Sequence, residues 1–396
     1  CRKMSTVNTN MKQWRTIGAS VLLAAALVQV PAAFAVTRSP QRAETAAADQ
    51  TFLAARDAFA AGQHDRLASL APRLASHPLA IWVEYWQLNL RLRNDDPARV
   101  DAAVAEFFAR HADTYLADRL RMDWLLALGA RRDFERFAAE HPALVWRHDD
   151  HQVRCYAALV RYQRETQGDA DQRVREARRV LASSREPGGE GCTALGEALQ
   201  ADGHVSRWER LRATVELNQP AATRRLAAEL APAEAAQLAQ ALERPAAFLS
   251  VRERRMTHTQ RELAMIALAR LARENPEQAA RHAAALNLHL SPAQRGLVWG
   301  RIGHMGALRL LPEALDWYRH GGEHVGNALE AARADEVLEW QMRAALRGTA
   351  RGPDWAMVRA TYERMGAELQ RAPAWVYWHA RALAAAGDEA QAHAAL

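Results

Sequence analysis

Short amphipathic segments with helical spacing make up most of this chain, and helix-breaking residues separate them every 12 to 20 positions. Trp82, Tyr85 and Trp86, for example, share one helical face, whereas alternation of β-branched with polar residues is absent. Helices this short cannot bury their apolar faces alone, so roughly twenty of them must pack against one another. They build either one large bundle or a stack of helix pairs, and stacking is the usual answer. We therefore predict an all-α fold, a right-handed α-superhelix (solenoid) of short helix pairs.

Several of the breaks are typical helix starts. Ser291 stands before Pro292 and Asn275 before Pro276, which predicts a side-chain N-cap followed by proline in the first helical position. Towards the C-terminus, the aromatic and small residues before Gly387 are similar to those of a tetratricopeptide helix pair. We therefore expect the superhelix to become tetratricopeptide-like there.

The first 35 residues predict an export signal. A short basic stretch precedes the apolar run 17–30, which ends in a small-x-small cleavage site at Ala35. The run is short for a membrane span of about 20 residues, which favours cleavage over an anchor. Residues 1–10 are interpreted as an upstream extension and 11–35 as the signal peptide. The mature chain is expected in the periplasm, without a membrane span.

Charge and lysine content exclude several functions. The chain has 52 Lys and Arg, 46 Asp and Glu, and a net charge of +6. Four of those positive charges lie in the first 35 residues, which contain no acid, so the remainder carries only +2. Such a balance does not predict nucleic-acid binding. Because the only lysines are Lys3 and Lys12, phosphate-binding P-loops and lysine-based catalysis are excluded from the rest.

Two cysteines remain after Cys1 is set aside with the N-terminal extension. Cys155 lies in an apolar helical stretch, and Cys192 follows a glycine-rich loop. An even number of cysteines in an oxidising compartment favours a disulfide. Such a bond would stabilise the fold by roughly 4 kcal/mol, because it removes loop-closure entropy from the unfolded chain. The alternative is a pair of unpaired buried thiols. With no third or fourth ligand, the pair makes a poor zinc site.

The order and spacing of several stretches resemble the N-terminal superhelical, U-shaped domain of the soluble lytic murein transglycosylases of Gram-negative periplasm. Cys192 matches a second cysteine of that family. The resemblance covers nearly all of the predicted mature chain. Its main stretches are AFAAGQHDRLASLAPRLASHPLAIWVEYWQLNLRL (58–92), DRLRMDWLLALGARRDFERFAAEHP (118–142), VRCYAALVRYQRETQG (153–168), RWERLRATVELNQPAATRRLAAEL (207–230) and WVYWHARALAAAGDEAQAH (375–393).

The resemblance implies a U-shaped superhelix that a linker domain closes into a ring, followed by a lysozyme-like domain. One glutamate of that domain, usually before a serine, acts as general acid and base and leaves a 1,6-anhydromuramoyl end. This chain contains no Glu-Ser dipeptide, so no catalytic residue is carried over and its own activity stays open. The resemblance implies an α-superhelical domain at 36–387 and the truncated start of the linker at 388–396.

The leading hypothesis is therefore a scaffold region that positions murein strands or an envelope protein while another domain cuts. The alternative is a stand-alone tetratricopeptide-like scaffold for protein interactions in the periplasm. Neither hypothesis requires a cofactor. The two differ in partner, because the first requires peptidoglycan and the second requires another protein.

Three groups of residues are candidate sites, each with a structural alternative. Tryptophan stacks on sugar rings, but at helical spacing it more often packs between helices. Two histidines three apart can share a metal, but the acidic run between them is more typical of a solvated turn. Arginines bind carboxylates, but they are also common in exposed loops. The candidates are Trp82, Trp86, Trp375 and Trp378 for glycan, His148, Asp149, Asp150 and His151 for metal, and Arg252, Arg254 and Arg255 for peptidoglycan carboxylates. Of these, we expect no metal site.

Overall fold

The computed structural model describes residues 40–145, 150–164, 169–250, 255–325, 331–350 and 352–396. Within those ranges the fold is all-α: twenty-two α-helices and four short 3₁₀ helices are present, and no strand is formed. The predicted fold class is confirmed. None of the described helices has the length and apolar character needed to cross a membrane. The predicted signal peptide and its cleavage site at Ala35 lie outside the described residues.

The helices follow one another along the chain with short connections. The first nine are α1 (Pro40–Ala60), α2 (His64–Leu70), α3 (Ala80–Asn94), α4 (Pro97–His111), α5 (Tyr115–Ala130), α6 (Phe134–Glu140), α7 (His151–Arg164), α8 (Ala170–Ser183) and α9 (Glu190–Ala201). The next nine are α10 (Arg207–Glu216), α11 (Pro220–Ala227), α12 (Pro232–Glu243), α13 (Pro245–Ser250), α14 (His258–Glu274), α15 (Pro276–Leu286), α16 (Pro292–Leu308), α17 (Ala314–Gly321) and α18 (Ala331–Arg347). The last four are α19 (Trp355–Arg364), α20 (Ala367–Gln370), α21 (Pro373–Ala385) and α22 (Glu389–Ala395).

Most helices pack against a neighbour along the chain, and in several places a helix also packs against the next helix but one. In the first part α1, α3, α5, α7 and α9 form one row, and in the second part α14, α16 and α18 form another. This pattern is that of a superhelix, because each pair buries its apolar faces against the pairs on either side. Helix α18 also packs against α8, which brings distant parts of the sequence together.

The predicted helix starts are confirmed. The Ser291 hydroxyl accepts a hydrogen bond from the Gln294 backbone N–H (3.2 Å), and the Gln294 side chain accepts one from the Ser291 N–H (3.0 Å). The Asn275 side chain accepts from the Gln278 N–H (2.8 Å), with Pro276 in the first helical turn. Such caps satisfy backbone groups that the helix itself leaves unpaired.

Cys155 and Cys192 form the predicted disulfide. It joins α7 to α9, the two Cα atoms lie 4.9 Å apart, and both residues are buried. Helices α7 and α9 also pack directly on each other, so the covalent bond lies inside an apolar interface. The bond closes the segment that contains α8 and the glycine-rich loop.

Buried polar groups tie neighbouring helices together at a few points. The Asp101 carboxylate of α4 accepts a hydrogen bond from Trp124 Nε1 of α5 (2.6 Å) and pairs with Arg131 and Arg136. Further along, Arg212 of α10 pairs with the buried Glu262 of α14. A buried carboxylate is costly unless it is paired, so these contacts define how the helices fit rather than adding much stability.

Glycines let the connection after α17 approach α16 closely. A Cβ on Gly296 would lie 2.4 Å from the backbone oxygen of His324, so a side chain there forces the backbone to move. One turn later, a Cβ on Gly300 would meet Val325 Cγ1 at 3.4 Å and Val337 Cγ1 at 3.6 Å, which are ordinary contacts. Both glycines lie on α16, but only Gly296 is required by the close approach of the His324 backbone.

We expect the double variant Cys155→Ala, Cys192→Ala to lose about 4 kcal/mol of unfolding free energy, because the unfolded chain regains the entropy of an open loop. Urea unfolding of the oxidised wild type and of the variant measures the difference. Reductant should lower the wild-type midpoint and leave that of the variant unchanged. Equal midpoints for the oxidised wild type and the variant would show that the disulfide contributes nothing.

Gly296→Ala and Gly300→Ala should change stability in opposite directions. The first is expected to cost about 1–3 kcal/mol through backbone displacement, and the second to gain up to about 1 kcal/mol from helix propensity. Thermal or urea unfolding of the two variants checks this, with each serving as the control for the other. A loss of similar size in both variants contradicts the close approach at Gly296.

Candidate functional site

A cavity lies between α12 and α15 in the described part of the chain. Its volume is about 520 Å³, which is in the range of small-ligand sites. Helix α13, Met256 and the start of α14 close its inner side. The cavity is defined here as the α12–α15 pocket.

Two helices supply its facing walls. On α12 and the residue after it, Gln237, Gln240 and Arg244 are spaced by three and four residues, which places them on one helical face. On the opposite side His282 of α15 and His289 of the following 3₁₀ turn are seven residues apart, two helical turns along the same face. The polar groups therefore stand in two rows across an open gap.

The inner surface of the pocket is mostly apolar. Phe248 and Met256 are half-buried and Leu249 is buried, and all three pack in the core around α14. Ala264, Ala285 and Leu286 complete this apolar lining. Two further polar groups take part in local structure: Ser250 bonds to the Ala246 carbonyl, and Gln260 belongs to the capping box that opens α14.

The position of Arg244 is fixed by its neighbours in the chain. Its backbone N–H closes the last turn of α12 on the Gln240 carbonyl (3.0 Å), and the next residue, Pro245, is buried as the first residue of α13. The side chain is exposed at the pocket. Within the described part of the chain it makes no ion pair or hydrogen bond, so its donors face solvent and a ligand can reach them.

Such a lining suits a polar ligand that also has an apolar face. Glutamine side chains both donate and accept hydrogen bonds, as hydroxyl and acetamido groups require, and a guanidinium binds carboxylates. Where the structure describes the chain, no group of three or more His, Cys, Asp or Glu side chains is arranged to hold a metal. The glutamine amides and the guanidinium offer recognition by hydrogen bonds and charge.

The four candidate tryptophans lie in two separate apolar clusters. Trp86 is 6% exposed and packs against Phe52 and Phe59, with ring centres 5.2 and 5.6 Å away. Trp375 is 7% exposed, lies under Arg343 and donates its Nε1–H to Glu339 (3.2 Å).

Trp82 and Trp378 retain more exposed ring surface than the other two. Trp82 contacts Tyr85 edge-on, with ring centres 6.3 Å apart, and Trp378 stacks on Trp355 at 6.5 Å. Both rings are half-buried. All four tryptophans thus pack between helices, and the predicted glycan contacts stay a prediction for which Trp82 and Trp378 offer the accessible faces.

The other candidates are described only in part. His148, Asp149, Arg252 and Arg254 lie outside the described residues. Asp150 caps α7 by accepting the backbone N–H groups of residues 152 and 153 (2.9 and 3.0 Å), and His151 begins that helix. Arg255 is exposed next to Met256, so this end of the predicted arginine cluster adjoins the α12–α15 pocket.

Sequence reasoning did not identify the pocket residues. Gln237, Gln240 and Arg244 form a polar stripe on an otherwise alanine-rich helix, which is typical of a solvated face. The seven-residue spacing of His282 and His289 was the available signal, since it places two imidazoles on one side of a helix. Neither pattern reveals that the two faces meet across a gap.

A second, much smaller cavity of about 40 Å³ lies where α10, α16 and α18 meet. His304 is buried there, and its Nε2 has no hydrogen-bond partner, with the nearest carboxylate, Glu336, 3.9 Å away. Burial, with the positive charge of Arg301, lowers the pKa of His304 to about 3. Glu216 also lines this cavity, which is large enough for water only.

Comparisons with known proteins give a limited result. No protein-family model matches the chain, and no curated protein does. Among solved structures, the chain is similar to an inactive mutant of the lytic transglycosylase Slt from Pseudomonas aeruginosa, with 22% identity over 87% of this chain and 54% of that one, at a TM-score of 0.46. It is also similar to the 70-kDa soluble lytic transglycosylase in complex with bulgecin A, with 19% identity over 89% of this chain and 55% of that one, at a TM-score of 0.40. The chain thus spans about half the length of these two structures.

Acid should destabilise the fold partly through His304. Between its ordinary pKa of 6.5 and its folded pKa of about 3, only the unfolded chain binds a proton at this residue. Stability therefore falls as pH drops through this window, by up to about 1.4 kcal/mol per pH unit from His304. Urea unfolding at pH 4 to 7 should show a shallower pH dependence for His304→Gln than for wild type.

The exposed His393 provides the control, because His393→Gln should retain the wild-type slope. The slope is the readout, so a uniform loss of stability in His304→Gln does not affect the test. Identical slopes for wild type and His304→Gln would contradict a buried neutral imidazole.

Proposed function

We propose that this chain is the helical scaffold region of a periplasmic peptidoglycan lytic transglycosylase. In this proposal it binds and positions murein strands, and a separate lysozyme-like domain cleaves the bond between N-acetylmuramic acid and N-acetylglucosamine. The observation that carries the proposal is the α12–α15 pocket, whose amide and guanidinium groups surround an apolar floor. That combination matches a sugar with acetamido groups and one apolar face.

The sequence supports the proposal independently of the pocket. The stretches that resemble the transglycosylase superhelix span most of the chain in the family order, and Cys155 and Cys192, one of them matching a family cysteine, are paired. The resemblance supplies the export to the periplasm, the glycan substrate and the transglycosylase reaction, and all three belong to the proposal. No described side chain is proposed to cut the glycan.

Binding to insoluble murein sacculi tests the proposal. We expect the purified chain to sediment with sacculi, because the pocket and the exposed faces of Trp82 and Trp378 offer contacts to glycan. It should release no 1,6-anhydro muropeptides, which mass spectrometry of the supernatant would detect. A soluble lytic transglycosylase with its catalytic domain is the positive control for release.

Two outcomes would overturn parts of this proposal. Failure to sediment with sacculi, together with stable binding to an envelope protein, would favour the alternative of a protein-interaction scaffold. Release of anhydro-muropeptides by the chain alone would show that it carries its own catalytic site.

A further inference from the structure

The α12–α15 pocket has an excess of positive or potentially positive groups. Arg244, His282 and His289 line it, and no Asp or Glu is among its described lining residues. Two other arginines that face neighbouring elements are paired with carboxylates: Arg212 with Glu262 and Arg319 with Asp354. The guanidinium of Arg244 has no such partner among the described residues.

We propose that this pocket selects a carboxylate-bearing acetamido sugar over a neutral one, with the carboxylate on Arg244. The inference rests on the proposed function for the glycan and adds the chemical class that the pocket prefers. The carboxylate has two sources in murein, the free lactyl group of muramic acid and the peptide stem. Both present the same planar anion to the guanidinium.

The geometry favours this assignment. Arg244 stands at the end of the stripe that begins with Gln237 and Gln240, so a ligand that bonds to the glutamines extends towards the guanidinium. Phe248 and Met256 offer an apolar surface below them. A neutral sugar would bond to the glutamines and pack on this apolar surface, and the Arg244 guanidinium would stay hydrated. An anionic sugar adds a charge-assisted pair, the stronger kind of hydrogen bond.

Arg281 provides a matched control for a charge change. It precedes His282 on α15, is exposed and does not line the pocket. Arg281→Gln and Arg244→Gln therefore remove the same charge from neighbouring helices. Only the second removes a donor from the pocket wall.

Isothermal titration with three probes tests the proposal: N,N′,N″-triacetylchitotriose, a disaccharide with a free lactyl carboxylate, and a disaccharide tetrapeptide. We expect at least one anionic probe to bind wild type about tenfold or more tightly than chitotriose, given the strength of hydrogen bonds to charged groups. Arg244→Gln should abolish that preference by weakening the anionic probes far more than chitotriose, while Arg281→Gln should retain it. The two anionic probes show which carboxylate source is used.

Three results would overturn the inference. If all probes bind equally and Arg244→Gln changes nothing, the pocket binds glycan without discriminating between charged and neutral sugars. The inference is then wrong and the proposed function stands. Equal loss of preference in both arginine variants means a general charge effect. If no probe binds but the chain still sediments with sacculi, glycan binds outside the pocket. If no probe binds and the chain does not sediment with sacculi, the proposed function is also wrong.

Discussion

The packing of short helices against one another, in rows formed by every second helix, is the contact on which this structure depends. Helices of seven to seventeen residues, as most are here, cannot bury an apolar face alone, so every pair needs its neighbours. The core is accordingly divided into consecutive clusters rather than one centre. The contacts of α18 with α8 and of α10 with α14 are different, because they join helices that the sequential packing would leave apart.

The α12–α15 pocket follows from one irregularity in this packing. Helix α13 has only six residues, the fewest after α20, yet it occupies the position between α12 and α15. It contacts both α12 and α15, but it is too short to fill the space between them. The polar faces of α12 and α15, which would be plain surface on regular helix pairs, therefore face each other across a gap.

The sequence predicts those features that depend on local chemistry. The caps at Ser291 and Asn275 follow from two or three adjacent residues, and the disulfide is predicted from two cysteines in a chain whose N-terminal sequence predicts export. The pocket depends instead on where α13 places its neighbours, which no local pattern encodes. Spacing also fails to separate Trp86, which is buried between phenylalanines, from Trp82, which keeps an exposed face, because both positions satisfy the same helical period.

The character of the pocket side chains bears on how such a scaffold would work. Glutamine and arginine have many rotamers, so ordering Gln237, Gln240 and Arg244 around a ligand costs conformational entropy, and a single site of this kind binds weakly. Under the proposed function, weak binding is an advantage, because the murein strand has to move on after each cut by the separate domain. Murein repeats the same unit along its length, so several weak contacts on one strand can add up to stable attachment while each contact still exchanges. Under the same proposal, a tight site would hold the strand in one register and oppose the next cut.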